Sequence, residues 1–176
     1  DFVSDDDIVQ MVEKIEKSGK RLMNTLNEVL SLTELETEDY IVQENEIDLN
    51  LLCNTIKTNY EKPASDKNLE LKVITNNSRL STISDESLLL KILSSICDNA
   101  IKYTVKGSVT ITLEGPIQKD NSEFAIIKII DTGIGIKKDC QELIFKEFRQ
   151  LSEGIRRDFE GLGLGLTLAS RMARLI

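Results

Sequence analysis

The sequence predicts an α/β fold. Apolar runs with strand character fall at 69–74, 108–113 and 124–130, and stretches with helical periodicity flank them at 49–60, 85–103 and 138–150. A long heptad-patterned segment, 5–35, comes before all of them.

That first segment reads as one helix. Asp5, Asp6 and Asp7 put negative charge where a helix N-terminus favours it. Ile8, Ile15, Leu22 and Val29 recur every seven residues, and Met11, Val12, Leu26 and Leu32 widen the same stripe. This is the pattern of a bundle or coiled-coil seam. Ser18, Gly19 and Thr25 interrupt it, so it is a weak zipper by itself. The stripe needs cover. A partner helix, from a missing N-terminal part or a second subunit, would supply it, and so would packing onto the rest of this domain.

Residues 36–46 are polar and acidic and read as a linker, with a short strand near Tyr40 to Gln43. Asp48 has the chemistry of a helix cap for Leu49 to Tyr60, and Pro63 is expected to end that helix. Leu69 to Ile74 alternates apolar and polar side chains, as a strand does. A turn follows at Asn76, Asn77 and Ser78. The next helix is expected over Asp85 to Tyr103, with Ser84 as its N-cap. Leu88, Leu89, Ile92, Leu93, Ile96 and Ala100 make its core face. Ser95, Asn99, Lys102 and Tyr103 share another face, being spaced by three and four. An amide, an ammonium and a phenol side by side suit a metal-bound polyphosphate. The Asn oxygen is a neutral hard ligand for Mg²⁺, and Lys is a compact charge for phosphate oxygens.

Gly107 leads into a strand, Ser108 to Leu113, and a loop from Gly115-Pro116 through Asn121 connects it to Phe124–Ile130. The pair reads as an antiparallel hairpin, with the second strand buried on both faces. That strand ends on Asp131-Thr132-Gly133-Ile134-Gly135-Ile136. A carboxylate at a strand end can accept a hydrogen bond from an exocyclic amine, and glycine lets a ligand approach because it has no Cβ. A helical stretch, Lys138 to Gln150, carries Phe145 and Phe148. Ser152 to Glu160 is polar and reads as a mobile loop holding Arg156 and Arg157. Gly161-Leu162-Gly163-Leu164-Gly165-Leu166-Thr167 then runs into a last helix. Glycines before a helix expose backbone N–H groups to an anion. Their spacing fits neither a dinucleotide fingerprint nor a P-loop.

Composition narrows the function. With 176 residues, 40% hydrophobic and 30% charged, the chain has the make-up of a globular protein. Its net charge of −8 argues against a nucleic-acid partner. Cys53, Cys97 and Cys140 are far apart and read as reduced thiols of a cytoplasmic protein. The chain has no histidine, which excludes Ser-His and Cys-His catalysis and histidine metal ligands within it. It opens on Asp1-Phe2-Val3 with no initiator Met, as a piece of a longer polypeptide would.

Four motifs in order and at matching spacing resemble the boxes of sensor histidine kinases. Asn99-Ala100-Ile101-Lys102-Tyr103-Thr104 is similar to the asparagine box, and Asp131-Thr132-Gly133-Ile134-Gly135-Ile136 to the first glycine box. Ile144-Phe145-Lys146-Glu147-Phe148 is similar to the phenylalanine box, and Gly161-Leu162-Gly163-Leu164-Gly165-Leu166 to the second glycine box. Residues 1–39 then resemble part of a dimerisation and phosphotransfer hairpin, its second helix, and 40–176 a catalytic ATP-binding domain. The resemblance implies a two-layer sandwich of helices on a mixed, mainly antiparallel sheet, as in gyrase, chaperone and mismatch-repair ATPases. It implies ATP and Mg²⁺ as cofactors. Asn99 would hold the metal, Lys102 would meet phosphate, and Tyr103 and Asp131 would lie at the adenine. Gly133, Gly135, Ile136, Gly161, Leu162, Gly163, Leu164 and Gly165 would shape the pocket and lid, Thr167 would help at the adenine, and Phe145 and Phe148 would anchor the lid.

The activity implied is transfer of the ATP γ-phosphoryl to a histidine outside this chain. The implied partners are the acceptor histidine hairpin, a response regulator receiver domain, and a second copy through the N-terminal helix. The parent protein is either membrane-anchored or not. A nucleotide-binding or dimerisation module without transfer, and an ATPase of the same superfamily, are the other readings. Position 95 is Ser, where the kinases usually have Asn and the related ATPases a Glu that activates water. Without that carboxylate, transfer to a protein is favoured over hydrolysis. The family normally continues with a glycine turn and a closing strand past the position of Ile176, so the sheet is expected to have an unpaired edge.

Overall fold

The computed structural model describes residues 5–36, 40–75, 79–146 and 163–176. Two compact units result, Asp1–Tyr40 and Ile41–Ile176. The first is a single helix, α1 (Asp5–Glu36), one residue longer than its pattern predicts. Its heptad positions Ile8, Ile15, Leu22 and Val29 are exposed, Ile15 at 71% and Leu22 at 68%, whereas Leu32 near its C-terminal end is buried.

The second unit begins with β1 (Asn45–Asp48), so the expected strand near 40–43 lies further along the chain. Asp48 caps α2 (Leu49–Asp66): its Oδ1 accepts from the Asn50 and Leu51 N–H groups at 2.9 and 3.1 Å. Pro63 does not end α2, which continues to Asp66. Its ring removes only the bond to the Asn59 carbonyl, in the last turn, where the loss is small.

After β2 (Glu70–Thr75) comes β3 (Ser81–Ser84), a strand the pattern does not predict. It is only four residues long and pairs antiparallel with β1 in a separate two-stranded sheet. Then α3 (Glu86–Tyr103) begins one residue later than predicted. Its cap is Asp85, not Ser84: Asp85 Oδ1 accepts from the Leu88 N–H at 3.0 Å, and Oδ2 accepts from the Gln43 N–H at 3.0 Å. The buried carboxylate thus ties the segment before β1 to the start of α3.

β4 (Ser108–Lys119) and β5 (Ser122–Asp131) form the hairpin. The expected loop at Gly115-Pro116 is part of β4, at a register irregularity between Glu114 and Ile117. The turn itself is Asp120-Asn121, both with positive φ (49° and 64°), as a tight two-residue hairpin turn requires. The main sheet has the order β2-β4-β5, with β2–β4 parallel and β4–β5 antiparallel.

Helices α2 and α3 cover one face of that sheet. Leu52, Cys53, Ile56, Leu93 and Cys97 of the helices meet Ile111 and Leu113 of β4 in the core. Each leucine and isoleucine among them stabilises the fold by roughly 1.5–3 kcal/mol relative to exposure. Among the described residues nothing packs on the other face, which corrects the expectation that Phe124–Ile130 is buried on both sides. Ile127 and Ile129 pack inward, whereas Phe124, Ile126 and Ile130 are exposed. A sheet covered on one side can bury only alternate residues. Among the described residues β5 pairs with no strand but β4. The helical stretch after 138 resolves into two short 3-10 turns, Lys138–Cys140 and Leu143–Phe145. The last element, α4 (Gly165–Leu175), packs on α3. Expectations for Phe148, the loop 152–160 with Arg156 and Arg157, Gly161, Leu162 and the turn at 76–78 lie outside the described residues.

Candidate functional site

The C-terminal half of α3 is the centre of the site. Asn99, Lys102 and Tyr103 are all half-buried there, and the Lys102 ammonium lies over the Tyr103 ring, 5.2 Å from its centre. The helix ends at a buried Thr104, whose hydroxyl donates to the Ala100 carbonyl at 2.7 Å. Lys67, at the end of α2, donates to the Ile101 and Lys102 carbonyls at 2.9 and 3.0 Å. A cation on the last carbonyls of a helix also complements its dipole. Thr104 is marked in the sequence only as the end of the Asn99–Thr104 motif, and Lys67 not at all, because their partners are backbone atoms.

Asp131, the last residue of β5, is exposed, and its Oδ1 accepts from the Gly133 N–H at 2.8 Å. This local turn leaves the other carboxylate oxygen for a donor. Gly133 then passes directly under α3. A Cβ there would lie 2.6 Å from the Tyr103 carbonyl oxygen, and the Ile134 N–H donates to that same oxygen at 3.4 Å. Thr132 braces the start of the turn, its hydroxyl accepting from the Ser108 N–H at 3.0 Å. Gly135 has φ +67° and its missing Cβ faces open space, and Ile136 beyond it is exposed.

The second glycine segment reaches the same helix one turn earlier. A Cβ on Gly165 would lie 2.9 Å from Ser95 Oγ, so the first residue of α4 is set against α3 at Ser95. Gly163 has φ +74°, and Leu164 is fully buried. Thr167 is buried, and its hydroxyl donates to the Phe145 carbonyl at 3.0 Å. With its proton committed, that hydroxyl can only accept from a ligand, which suits an amine. Phe145 is half-exposed. Asn99, Lys102, Tyr103, Asp131, Gly133 and Gly165 are therefore joined through α3, whereas Gly161 and Leu162 are outside the described residues.

Ionisation across α3 is shaped by burial. Burial pushes the Cys97 thiol up to about 12, with help from Asp98. It also raises the Asp98 carboxyl, against the pull of the Tyr60 hydroxyl and Lys102. Among the described residues no cluster of three His, Cys, Asp or Glu side chains could hold a metal, and no helix is long and apolar enough to cross a membrane.

A helix-and-sheet sandwich with two glycine turns set against the polar face of α3 is the α/β class to which this domain belongs. A family profile described as histidine kinase-, DNA gyrase B- and HSP90-like ATPase matches residues 84–176, and the chain belongs to that family. It is 33% identical over 160 residues to the autoinducer 2 sensor kinase/phosphatase LuxQ of Vibrio cholerae, covering 90% of this chain and 19% of that one. It is 31% identical over 159 residues to the signal transduction histidine-protein kinase BarA of Escherichia coli, covering 90% and 17%. Against these two relatives the chain spans less than a fifth of their length. Full-length ShkA, solved in complex with AMPPNP, shares the fold with a TM-score of 0.80 at 24% identity, over 99% of this chain and 35% of that one. The histidine kinase AdeS of Acinetobacter baumannii matches with a TM-score of 0.71 at 19% identity, over 98% and 75%. Residues 84–176 are thus an ATP-binding catalytic domain of the histidine-kinase type.

Proposed function

We propose that this chain is the ATP-binding catalytic region of a two-component sensor histidine kinase and moves the γ-phosphoryl of ATP to a histidine on a separate segment. In this reading residues 1–39 serve as the second helix of the dimerisation and phosphotransfer hairpin, whose exposed apolar stripe pairs with a second copy. Residues 40–176 are the catalytic domain. A receiver domain then takes the phosphoryl group from the acceptor histidine. A likeness to ThkA, solved in complex with the response regulator protein TrrA, is in keeping with that partner (TM-score 0.68, 21% identity, 85% of this chain and 42% of that one).

The observation that carries the reading is the convergence on α3. Its Asn99–Tyr103 face meets the Asp131–Gly135 turn through Tyr103, and the start of α4 through Ser95. The donor chemistry fits the groups to be held. Asp131 keeps an oxygen for an exocyclic amine, and the open space at Gly135 leaves room beside it. Asn99 offers one neutral oxygen and among the described residues no acidic cage surrounds it, which suits a Mg²⁺ ligated largely by phosphates and water. ATP would supply the phosphoryl group, with ADP as the leaving group. The chain's own part is positional. Lys102 offsets phosphate charge, Tyr103 flanks the base, and the N–H groups at the start of α4 face the anion. Ser95 provides no carboxylate to activate water, so transfer to histidine is favoured over hydrolysis.

The test is titration calorimetry of the chain with a non-hydrolysable ATP analogue, with and without Mg²⁺, followed by incubation with an acceptor hairpin and labelled ATP. Mg²⁺-dependent binding and label on the hairpin histidine are expected. No heat with any adenine nucleotide overturns the reading. Binding with steady phosphate release and no labelled hairpin makes the chain an ATPase. Binding with neither makes it a nucleotide-binding module.

A further inference from the structure

Lys102, read as the phosphate contact, stands in the last turn of α3. That is the wrong end of a helix for an anion. The last carbonyls have no intrahelical partner and together carry roughly half a negative charge, so phosphates are ordinarily held at the other end. In this chain the carbonyls of Ile101, Lys102 and Tyr103 are each engaged. The Lys67 ammonium donates to Ile101 and Lys102 at 2.9 and 3.0 Å, and the Ile134 N–H donates to Tyr103 at 3.4 Å. Of these two donors only Lys67 is charged. Its own backbone is fixed at the end of α2. The Lys67 N–H donates to the Ala64 carbonyl at 3.1 Å, Asn68 turns with φ 56°, and the Leu69 N–H returns to the same Ala64 carbonyl at 2.9 Å. Ala64 and Leu69 pack with Ala100, Ile101 and Val109 in one buried cluster, which joins the ends of α2 and α3. No step of the proposed function uses Lys67.

We propose that Lys67 is a positioning residue for the triphosphate: its ammonium cancels the negative end of α3 and holds the carbonyls of the turn that carries Lys102, so that an anion can be bound there. This rests on the reading of Lys102 as a phosphate contact. The geometry is direct, since one of the two carbonyls belongs to Lys102 itself and the other to the residue before it. The charge matters separately from the hydrogen bonds. A neutral donor satisfies a terminal carbonyl as well, as the Ile134 N–H does for Tyr103, but leaves the helix dipole in place. A net charge of −8 also opposes any anionic ligand, so a cation set at the site counts for more than one elsewhere on the surface.

The test compares the 176-residue chain with its Lys67→Met, Lys67→Arg and Lys62→Met variants. Each is titrated, below its melting temperature, with the Mg²⁺ form of a non-hydrolysable ATP analogue and with adenosine, at low and at high salt. Lys67→Met keeps an apolar stem and removes charge and donors. It should weaken the analogue about fivefold at low salt and leave adenosine unchanged. The difference should shrink at high salt. Lys67→Arg keeps a charge and donors and should bind the analogue as the unmutated chain does. Lys62 is an exposed lysine on the same helix, and Lys62→Met should leave both affinities as they are. Unchanged analogue binding in Lys67→Met overturns the proposal. An equal loss for adenosine does so too, because it marks a structural cap. So does an equal loss in Lys62→Met, which marks net charge, or a loss in Lys67→Arg as large as in Lys67→Met. In all of these the nucleotide reading stands and only the role of Lys67 falls. If the unmutated chain binds neither ligand, the nucleotide reading itself fails and this inference fails with it.

Discussion

Gly133 lies so near Tyr103 that a Cβ on it would sit 2.6 Å from the tyrosine's carbonyl oxygen. The end of β5 is thereby locked to the end of α3, and Asp131 is held in one body with Asn99 and Lys102. Replacing Gly133 with Ala forces the two backbones apart, and overpacking of this kind typically costs about 1–3 kcal/mol. Gly133→Ala should melt several degrees lower and bind the ATP analogue more weakly. Gly135→Ala is a useful contrast, since its Cβ meets open space and only its φ of +67° is strained. It should lose less stability. A Gly133→Ala protein that melts with the unmutated chain would show that the turn is not locked.

Asp131→Asn separates fold from recognition. The Asn Oδ1 can still accept from the Gly133 N–H, so the turn and the melting temperature should be kept. What is lost is a charged acceptor for an amine, and a hydrogen bond to a charged group is worth about 1.5–3 kcal/mol. Affinity for the ATP analogue should fall about tenfold or more, with an equal loss for adenosine, because the contact is to the base. A loss confined to the triphosphate would place Asp131 at the other end of the cleft.

The elements of the fold were legible from periodicity, and the motifs from residue type, but their connections were not. Asp48 capped the helix it was expected to cap, because cap, helix and partner N–H groups are local in sequence. Asp85 displaced Ser84 as the cap of α3 because its second oxygen meets Gln43, more than forty residues away, and no local pattern records that. Pro63 and Gly115-Pro116 were read as breaks, yet each sits inside its element, at a last turn and at a bulge where the missing N–H is tolerated. The apolar run 124–130 looked buried on both faces. Its place beside β4, on a sheet that the described residues cover on one face, decided otherwise. In the site, Asn99, Lys102 and Asp131 could be picked out by chemistry. The contacts Gly133–Tyr103 and Thr167–Phe145 end on backbone carbonyls, and Gly165 meets the Ser95 hydroxyl from a distant part of the chain, so no local pattern records these pairings.

The two aspartate caps differ in depth, and their removal should differ accordingly. Asp85 is 2% exposed and accepts from two backbone N–H groups, Leu88 in α3 and Gln43 in the segment before β1. Asp48 is half-buried and serves only its own helix start, beside an exposed Arg79 at 3.3 Å. Loss of a cap costs about 0.5–2 kcal/mol, and a buried donor left unpaired adds about 1–3. Asp85→Ala should therefore be the more damaging in chemical denaturation, by at least about 1 kcal/mol. Equal losses would mean that water reaches the Gln43 and Leu88 N–H groups.

Thiol chemistry gives an independent view of the core around the site. Cys53 on α2 and Cys97 on α3 are fully buried, and burial pushes their thiols up to about 11 and about 12. Cys140, on a 3-10 turn, is partly exposed. The thiolate is the reactive form, so raised pKa and burial act together to slow attack. At pH 8 a disulfide-exchange reagent should modify Cys140 within minutes and the other two only as the helices open. Cys97 lies two residues before Asn99, so a ligand bound to folded α3 should slow its opening by mass action. The Mg²⁺ form of the ATP analogue should accordingly protect Cys97 in a concentration-dependent way and leave Cys140 reacting at its own rate. Three thiols reacting together would show that α2 and α3 do not enclose a closed core. Equal rates for Cys97 with and without saturating analogue would show that the ligand does not bind to this helix.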